Sequence, residues 1–241
     1  MRQVTFTSGS QADRLTEWLA SDGSLCIRGI EGEKDLLVLA ESMGEIVEPG
    51  VGMPSGMHDG RVYSVAIRGD GSGELDKHGH PILSTTDREF PLHTDAYNRS
   101  EAPRYVFLFR VDRAETDTAS YVSDFRKAAD LLGEENLVLL QEPVFPSAAG
   151  WRPVLEERGG SLRFRFNGEE IRRWSQREDG GLSAAAERAV DSLESALVTM
   201  QEMFRLEPLD CLLLDNWRVC HGRSRIPAGS KRELKRVWVA G

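Results

Sequence analysis

Residues 210–222 read DCLLLDNWRVCHG: four apolar residues, Cys211 to Leu214, then a polar turn, then His221 beside a glycine. A short apolar run bounded by turn signals reads as a strand. Working outward, ELKRVWVAG (233–241) is a last strand. SLRFRFNG (161–168) alternates strictly, with Leu162, Phe164 and Phe166 on one face and Arg163, Arg165 and Asn167 on the other. TASYVS (118–123), PRYVFLFRV (103–111), RVYSVAI (61–67) and SLCIRGI (24–30) are further strands. Helical spacing appears at 11–19, at 33–44 and over 183–206, where Ala186, Val190, Leu193, Leu197, Met200 and Phe204 form one stripe, read as a packing face. Early helices, many short strands and one late helix predict a mainly β fold, a double-stranded β-helix (jelly roll) with flanking helices.

The chain has 241 residues, 40% of them hydrophobic and 29% charged. One domain, 1–241, accounts for that length and buries enough surface to fold without a disulfide or metal staple. A net charge of −9 argues against a nucleic-acid partner, which needs a positive footprint, although a few local arginines could hold an anionic small molecule. Cys26, Cys211 and Cys220 are odd in number and lack C-x-x-C spacing, so buried reduced thiols are expected. The opening MRQVTFTSGSQ has no apolar core, and no stretch approaches the roughly 20 apolar residues of a membrane span. A cytoplasmic protein without a membrane partner is expected, and the Asn98-Arg99-Ser100 sequon is then idle.

Residues 88–98, REFPLHTDAYN, place His93 two residues before Asp95. On extended backbone, side chains two apart point the same way, so both can bind one ion while Thr94 points away. Two imidazoles and one carboxylate suit a metal such as Fe(II) and leave positions open for substrate and oxygen. The chain has five histidines, and residue chemistry leaves the third ligand open among His58, His78, His80 and His221. His221 follows an apolar strand that can fix it at a barrel rim. His78 and His80 form an H-x-H in a polar loop, where they could bind a metal or simply be solvated. Arg232 and Arg236 share a face if the tail is a strand, and a guanidinium pairs with a carboxylate through two parallel hydrogen bonds; two surface arginines are the plain alternative. Tyr97 and Asn98 follow the ligand pair too closely to lie far from an ion. Arg165 and Asn167 line either a substrate pocket or solvent. The Gly- and Pro-rich loops 48–60 and 69–80 are lid candidates, and GDGSG (69–73) reads as a turn, because no helix or Lys-Ser/Thr follows to make a phosphate cradle.

Three strings, EFPLHTD, LLLDNWRVCHGRSRI and RELKRVW, together resemble the iron(II)- and 2-oxoglutarate-dependent oxygenases of the taurine dioxygenase, clavaminate synthase and γ-butyrobetaine hydroxylase type. DNWRVxHGR is especially similar to the γ-butyrobetaine and trimethyllysine hydroxylase branch. The resemblance implies His93, Asp95 and His221 as iron ligands, Arg232 as partner of the distal carboxylate of 2-oxoglutarate, Arg236 as a second carboxylate contact, and Thr118 as a hydrogen-bond partner of the cosubstrate. It also implies a requirement for Fe(II), 2-oxoglutarate and O2, with release of succinate and carbon dioxide.

Departures occur where the family often has Gly-Gly-Asp-Thr and Pro-Gly-Asp turns: this chain reads Glu115-Thr116-Asp117-Thr118 and Pro208-Leu209-Asp210. Asp95 stands where halogenating relatives carry a small residue, so hydroxylation, with desaturation, cyclisation or epimerisation as variants, is expected rather than chlorination. A short acidic chain points to a small polar metabolite, such as an amino acid, a betaine or a natural-product precursor. The rival readings are a non-catalytic metal-binding jelly-roll protein and a zinc hydrolase, and the hydrolase leaves Arg232 and Arg236 without a role. The oligomeric state is not legible.

Overall fold

The computed structural model describes residues 1–6, 11–48, 57–58, 60–76, 79–112, 118–177 and 181–241, with backbone alone at 57–58. The chain opens with β1 (Arg2–Thr5), α1 (Ala12–Asp22), β2 (Ser24–Arg28) and α2 (Glu33–Met43). α1 stops at Gly23, whose φ of 76° and N–H to the Leu19 carbonyl (2.8 Å) make a left-handed cap. A Cβ there would fall 2.7 Å from Val219 Cγ2, so the glycine also lets the helix end lie against a later strand. β3 (Met57–His58), β4 (Val62–Ala66), a 3-10 turn (Leu83–Thr85), β5 (Phe90–His93), β6 (Tyr105–Arg110) and β7 (Ser120–Asp124) follow. Then come α3 (Phe125–Ala129), α4 (Glu134–Leu140), the hairpin β8 (Leu155–Arg158) and β9 (Ser161–Phe164), α5 (Gly168–Ser175) and α6 (Ala184–Thr199). β10 (Glu202–Phe204), β11 (Cys211–Asp215), β12 (Val219–Arg223) and β13 (Glu233–Val239) close the chain.

Two sheets carry the fold, a seven-stranded one ordered β1-β2-β11-β6-β13-β4-β3 and a four-stranded one ordered β10-β7-β12-β5. Every ladder in them is antiparallel except β1 with β2. Alternation sorts their side chains. Tyr105, Phe107 and Phe109 of β6, with Cys211 and Leu213 of β11, turn outward to a cluster with Leu15, Leu19, Leu36 and Leu39 of the first two helices. Val106, Leu108, Leu212 and Leu214 turn inward and meet Val122 and Val219 of the smaller sheet. On its far side the smaller sheet packs Leu92 and Cys220 against α3, α4 and α6 through Phe125, Ala128, Leu140, Val190, Leu193 and Leu197. Helices therefore cover both outer faces of a mainly β structure.

The late helix is shorter than its stripe predicts. α6 ends at Thr199, and Glu202–Phe204 instead pairs with β7 as an edge strand, which seats Phe204 against the inter-sheet core. Strand pairing with β7 outweighs helical propensity there. The strand predicted over 161–168 ends at Phe164, because the Asn167 side chain accepts from the Glu170 N–H and starts α5. Helices α3, α4 and α5, five to eight residues each, are too short to print a period in the sequence. Leu209, standing where the resembled family has glycine, takes φ 68°, a left-handed conformation that costs a branched residue about 1–2 kcal/mol.

Loop 48–60 lies mostly outside the described residues, as do His78, the His58 side chain and 115–117. Residues 69–73 form a turn, with the Gly71 N–H on the Arg68 carbonyl (3.3 Å) and the Asp87 N–H on the Gly71 carbonyl (3.0 Å). All three cysteines are buried and free, and burial pushes the Cys26 thiol up to about 12. No helix among the described residues is long and apolar enough to cross a membrane. The Ser183 side chain caps α6 by accepting from the Ala186 N–H (3.1 Å). Ser183→Ala should therefore lower unfolding stability by about 1 kcal/mol, read from the midpoint of urea denaturation with an unchanged slope.

Candidate metal centre

Strands β5 and β12 pair antiparallel with His221 directly opposite His93. Opposed residues share a face, and the two rings lie 4.4 Å apart, centroid to centroid. Asp95 lies two residues past His93, its Oδ1 3.7 Å from His93 Nε2 and 3.8 Å from His221 Nε2. Ligand atoms from the three buried residues all fall within 4.8 Å of one another. Gly222 permits this approach: a Cβ there would sit 2.7 Å from the Phe90 carbonyl oxygen, where the β5–β12 register shifts.

The surroundings prepare each donor. His93 Nδ1 lies 2.9 Å from the Pro91 carbonyl, which selects the Nδ1–H tautomer and leaves the Nε2 lone pair free for an ion. Burial, aided by neighbouring His93, pushes the His221 pKa down to about 3, so that imidazole stays neutral, the form that ligates. Burial alone would raise the Asp95 carboxyl. The Arg236 guanidinium, with the side-chain contact from His93, outweighs it and holds the group well below the usual carboxylate range. Arg236 Nη1 donates to both Asp95 oxygens (3.1 and 3.2 Å), and Trp238 Nε1 donates to Oδ2 (2.7 Å). The Asp95 N–H donates to Asn216 Oδ1 (2.7 Å), and Asn216 Nδ2 returns a bond to the Asp95 carbonyl (3.2 Å). Ala96 turns the chain away at φ 60°.

Trp238→Phe keeps the ring packing and deletes only the hydrogen bond to Asp95. Ferrous affinity should fall by about 10–100-fold with little change in stability, as read by anaerobic titration.

One cavity between the sheets is lined by His93, His221, Ser120, Arg223, Arg232 and Arg236 within apolar walls that include Leu108, Leu212 and Leu234. Two of the buried arginines that line it differ. Arg223 donates to the carbonyls of Arg88, Leu83 (3.0 Å) and Thr86 (2.6 Å). Arg232 has no hydrogen-bonded acceptor for its guanidinium among the described residues, and burial together with the Arg223 and Arg110 charges brings its pKa down to about 10. It stays cationic near neutral pH, an anion receptor beside two imidazoles.

The remaining sequence candidates are placed as follows. Thr118 is buried two residues before Ser120, the β7 hydroxyl that faces the cavity. Tyr97 is packed in the helix-side core with its hydroxyl on the Pro146 carbonyl (3.1 Å). Asn98 donates to Glu170 (2.6 Å) and accepts from the Ala148 N–H (3.2 Å). Asn167 pairs backbone to backbone with His93 while its side chain caps α5. Arg165 is buried rather than solvated and holds the carbonyls of Arg99 (3.0 Å) and Ser100 (3.1 Å). His80 lies outside the ligand cluster, its Nε2 2.5 Å from Arg177 Nη2. Asn216, Arg223 and Trp238 were not anticipated. Trp238 had a readable signal, since Arg232, Leu234, Arg236 and Trp238 recur at period two in the tail.

The donor set of two imidazoles and one ionised carboxylate fits a first-row divalent ion with open positions, and the uncommitted Arg232 fits a carboxylate bound beside it. The chain matches the taurine catabolism dioxygenase TauD, TfdA family over residues 2–143 and 151–238. An asparagine oxygenase solved in complex with Fe(II), 2S,3S-3-hydroxyasparagine and succinate superposes with a TM-score of 0.74 at 17% identity, covering 100% of this chain and 94% of that one. The non-heme iron oxygenase OrfP, solved with Fe, succinate and (3S)-hydroxy-L-Arg, superposes at 0.70 with 19% identity, covering 98% and 82%. The PvcB protein from Pseudomonas aeruginosa does so at 0.66 with 18% identity, covering 95% and 80%.

Proposed function

Since the chain belongs to the taurine catabolism dioxygenase TauD, TfdA family, and is therefore an Fe(II)- and 2-oxoglutarate-dependent oxygenase, we propose that it hydroxylates a small polar metabolite of the amino-acid class. The observation that carries this reading is the meeting of His93, Asp95 and His221 with the uncommitted Arg232 in one cavity. In this reading the three residues hold Fe(II), and Arg232 takes the distal carboxylate of 2-oxoglutarate. Iron, 2-oxoglutarate and O2 supply the oxidising power when bound, leaving succinate and carbon dioxide.

The chain's own residues supply placement. Arg236 and Trp238 keep Asp95 ionised and fix its plane. Arg236 Nε, buried without a partner among the described residues, is the atom left for a second carboxylate contact. Ser120 offers a hydroxyl from the β7 side, with Thr118 two residues before it, and the apolar walls exclude water. With Asp95 present at the ligand position, hydroxylation is favoured over chlorination.

We read the two facing sheets with their helical cover as a double-stranded β-helix, and residues 1–241 as one oxygenase domain. The three buried thiols support a cytoplasmic setting. The amino-acid class is supported by the hydroxyasparagine and hydroxyarginine bound to the two oxygenases of similar fold. Anaerobic titration of metal-free protein with ferrous iron and then 2-oxoglutarate tests the reading. A weak visible charge-transfer band that saturates, followed by succinate release with an amino acid, is the expected result. Iron binding without a band and without succinate release would return the chain to a non-catalytic binding role.

A further inference from the structure

Beside the metal centre, and not used by it, Arg152, Arg158, Arg163 and Arg165 line a cleft of about 160 Å³ together with Ser100 and Glu156. Four cations face one anion there, in a chain whose net charge is −9. Burial and the Arg152 charge lower the Arg165 pKa, so the cluster is held together against its own repulsion. Arg152 and Arg165 are held by backbone carbonyls, while Arg163 lies over the Trp217 ring, 3.8 Å from its centroid. Arg152 Nη1 donates to the Tyr97 (3.0 Å) and Arg99 (2.7 Å) carbonyls, and Arg165 to those of Arg99 and Ser100. Of the nearby carboxylates, Glu101, 61% exposed, takes Arg158 at 2.6 Å and Arg163 at 3.6 Å, and Glu156, the one carboxylate lining the cleft, stands 3.8 Å from Arg165.

Two nitrogens of the cleft arginines, Arg152 Nε and Arg163 Nε, are buried with no acceptor among the described residues. Donors buried without acceptors are costly and mark a missing partner. Several guanidinium forks around a small volume suit a tetrahedral dianion, which offers acceptors on every side, better than a planar carboxylate. The cleft is tied to the segment of the candidate metal ligands: Arg165 lies two residues before Asn167, which pairs antiparallel with His93, and its guanidinium holds the carbonyls of Arg99 and Ser100, four and five residues past Asp95.

We propose that this cleft binds a phosphate-class dianion through Arg152, Arg163 and Arg165. The group is either the phosphoryl end of the substrate, which rests on the oxygenase reading above, or free phosphate acting on the segment that follows Asp95.

The test is calorimetric titration of metal-free, full-length protein with inorganic phosphate at low salt, with near-UV circular dichroism as the check on folding. One saturable site is expected. Arg163→Gln should weaken it by about tenfold or more, Arg163→Lys less, and the more exposed Arg158→Gln least. No saturable binding in the wild type, or unchanged affinity in the folded Arg158→Gln/Arg163→Gln double variant, overturns the proposal. With Fe(II) and 2-oxoglutarate present, phosphoserine that displaces phosphate and drives succinate release identifies the substrate source. Phosphate that alters succinate release without being displaced identifies the effector source. If phosphate binds but no amino acid, phosphorylated or not, drives succinate release, the anion site stands and the hydroxylase reading fails.

Discussion

His93→Ala is expected to remove ferrous binding and succinate release together, by well over the roughly 10–100-fold that loss of an outer-shell partner costs. The imidazole is one of the three candidate ligands that cluster among the described residues, and its Nε2 is already oriented by the bond from Nδ1–H to the Pro91 carbonyl. The fold should persist, because three apolar clusters hold the sheets and helices without the metal. Anaerobic titration, succinate assay and far-UV circular dichroism on the same preparation read all three consequences. Unchanged succinate formation in a folded variant would sink the ligand assignment. His80→Ala is the matched control: that ring faces Arg177, and the variant should keep full activity.

Arg232→Ala should leave ferrous binding intact and raise the 2-oxoglutarate requirement by about a hundredfold. A bidentate, charge-assisted pair at a buried arginine is worth up to about 3 kcal/mol, and each 1.4 kcal/mol is a factor of ten. Titrating iron-loaded protein with 2-oxoglutarate under nitrogen measures the shift directly, and Arg232→Lys should recover only part of it, since a point charge cannot reproduce the fork. Arg223→Ala should differ in kind. That side chain is committed to four backbone carbonyls, so its removal lowers stability ahead of cosubstrate affinity. A rise in 2-oxoglutarate requirement confined to Arg236→Ala would mean that the two arginines exchange roles.

Much of the site was legible because its signals are local. The H-x-D spacing needs only an extended chain to put His93 and Asp95 on one side, and the strand that carries His221 announces itself in four apolar residues. The tail places Arg232 and Arg236 by the same period of two. The choice of His221 from the other histidines was not local, since residue chemistry left it open and the resemblance supplied it. Substrate-side expectations fared unevenly for a related reason. Tyr97 and Asn98 are close to the ligands along the chain, yet one faces the core and the other ties loops together. Arg165, which alternation allowed to be solvated, is buried.

What the sequence by itself determined is the alternation that divides each strand into two faces, the helical cover at the front of the chain, and the residue types that converge on a metal. These follow from backbone geometry over a few residues, which any stretch of chain carries with it. The tertiary structure alone decided that His221 stands opposite His93, that Trp238 reaches Asp95 from 143 residues away, and that the last turn of the predicted late helix becomes the edge strand Glu202–Phe204. Each depends on pairing between segments distant along the chain. The free energy of such pairing comes from partners that no local window contains, so it can override a helical stripe or bury an arginine without leaving a mark in the neighbouring letters.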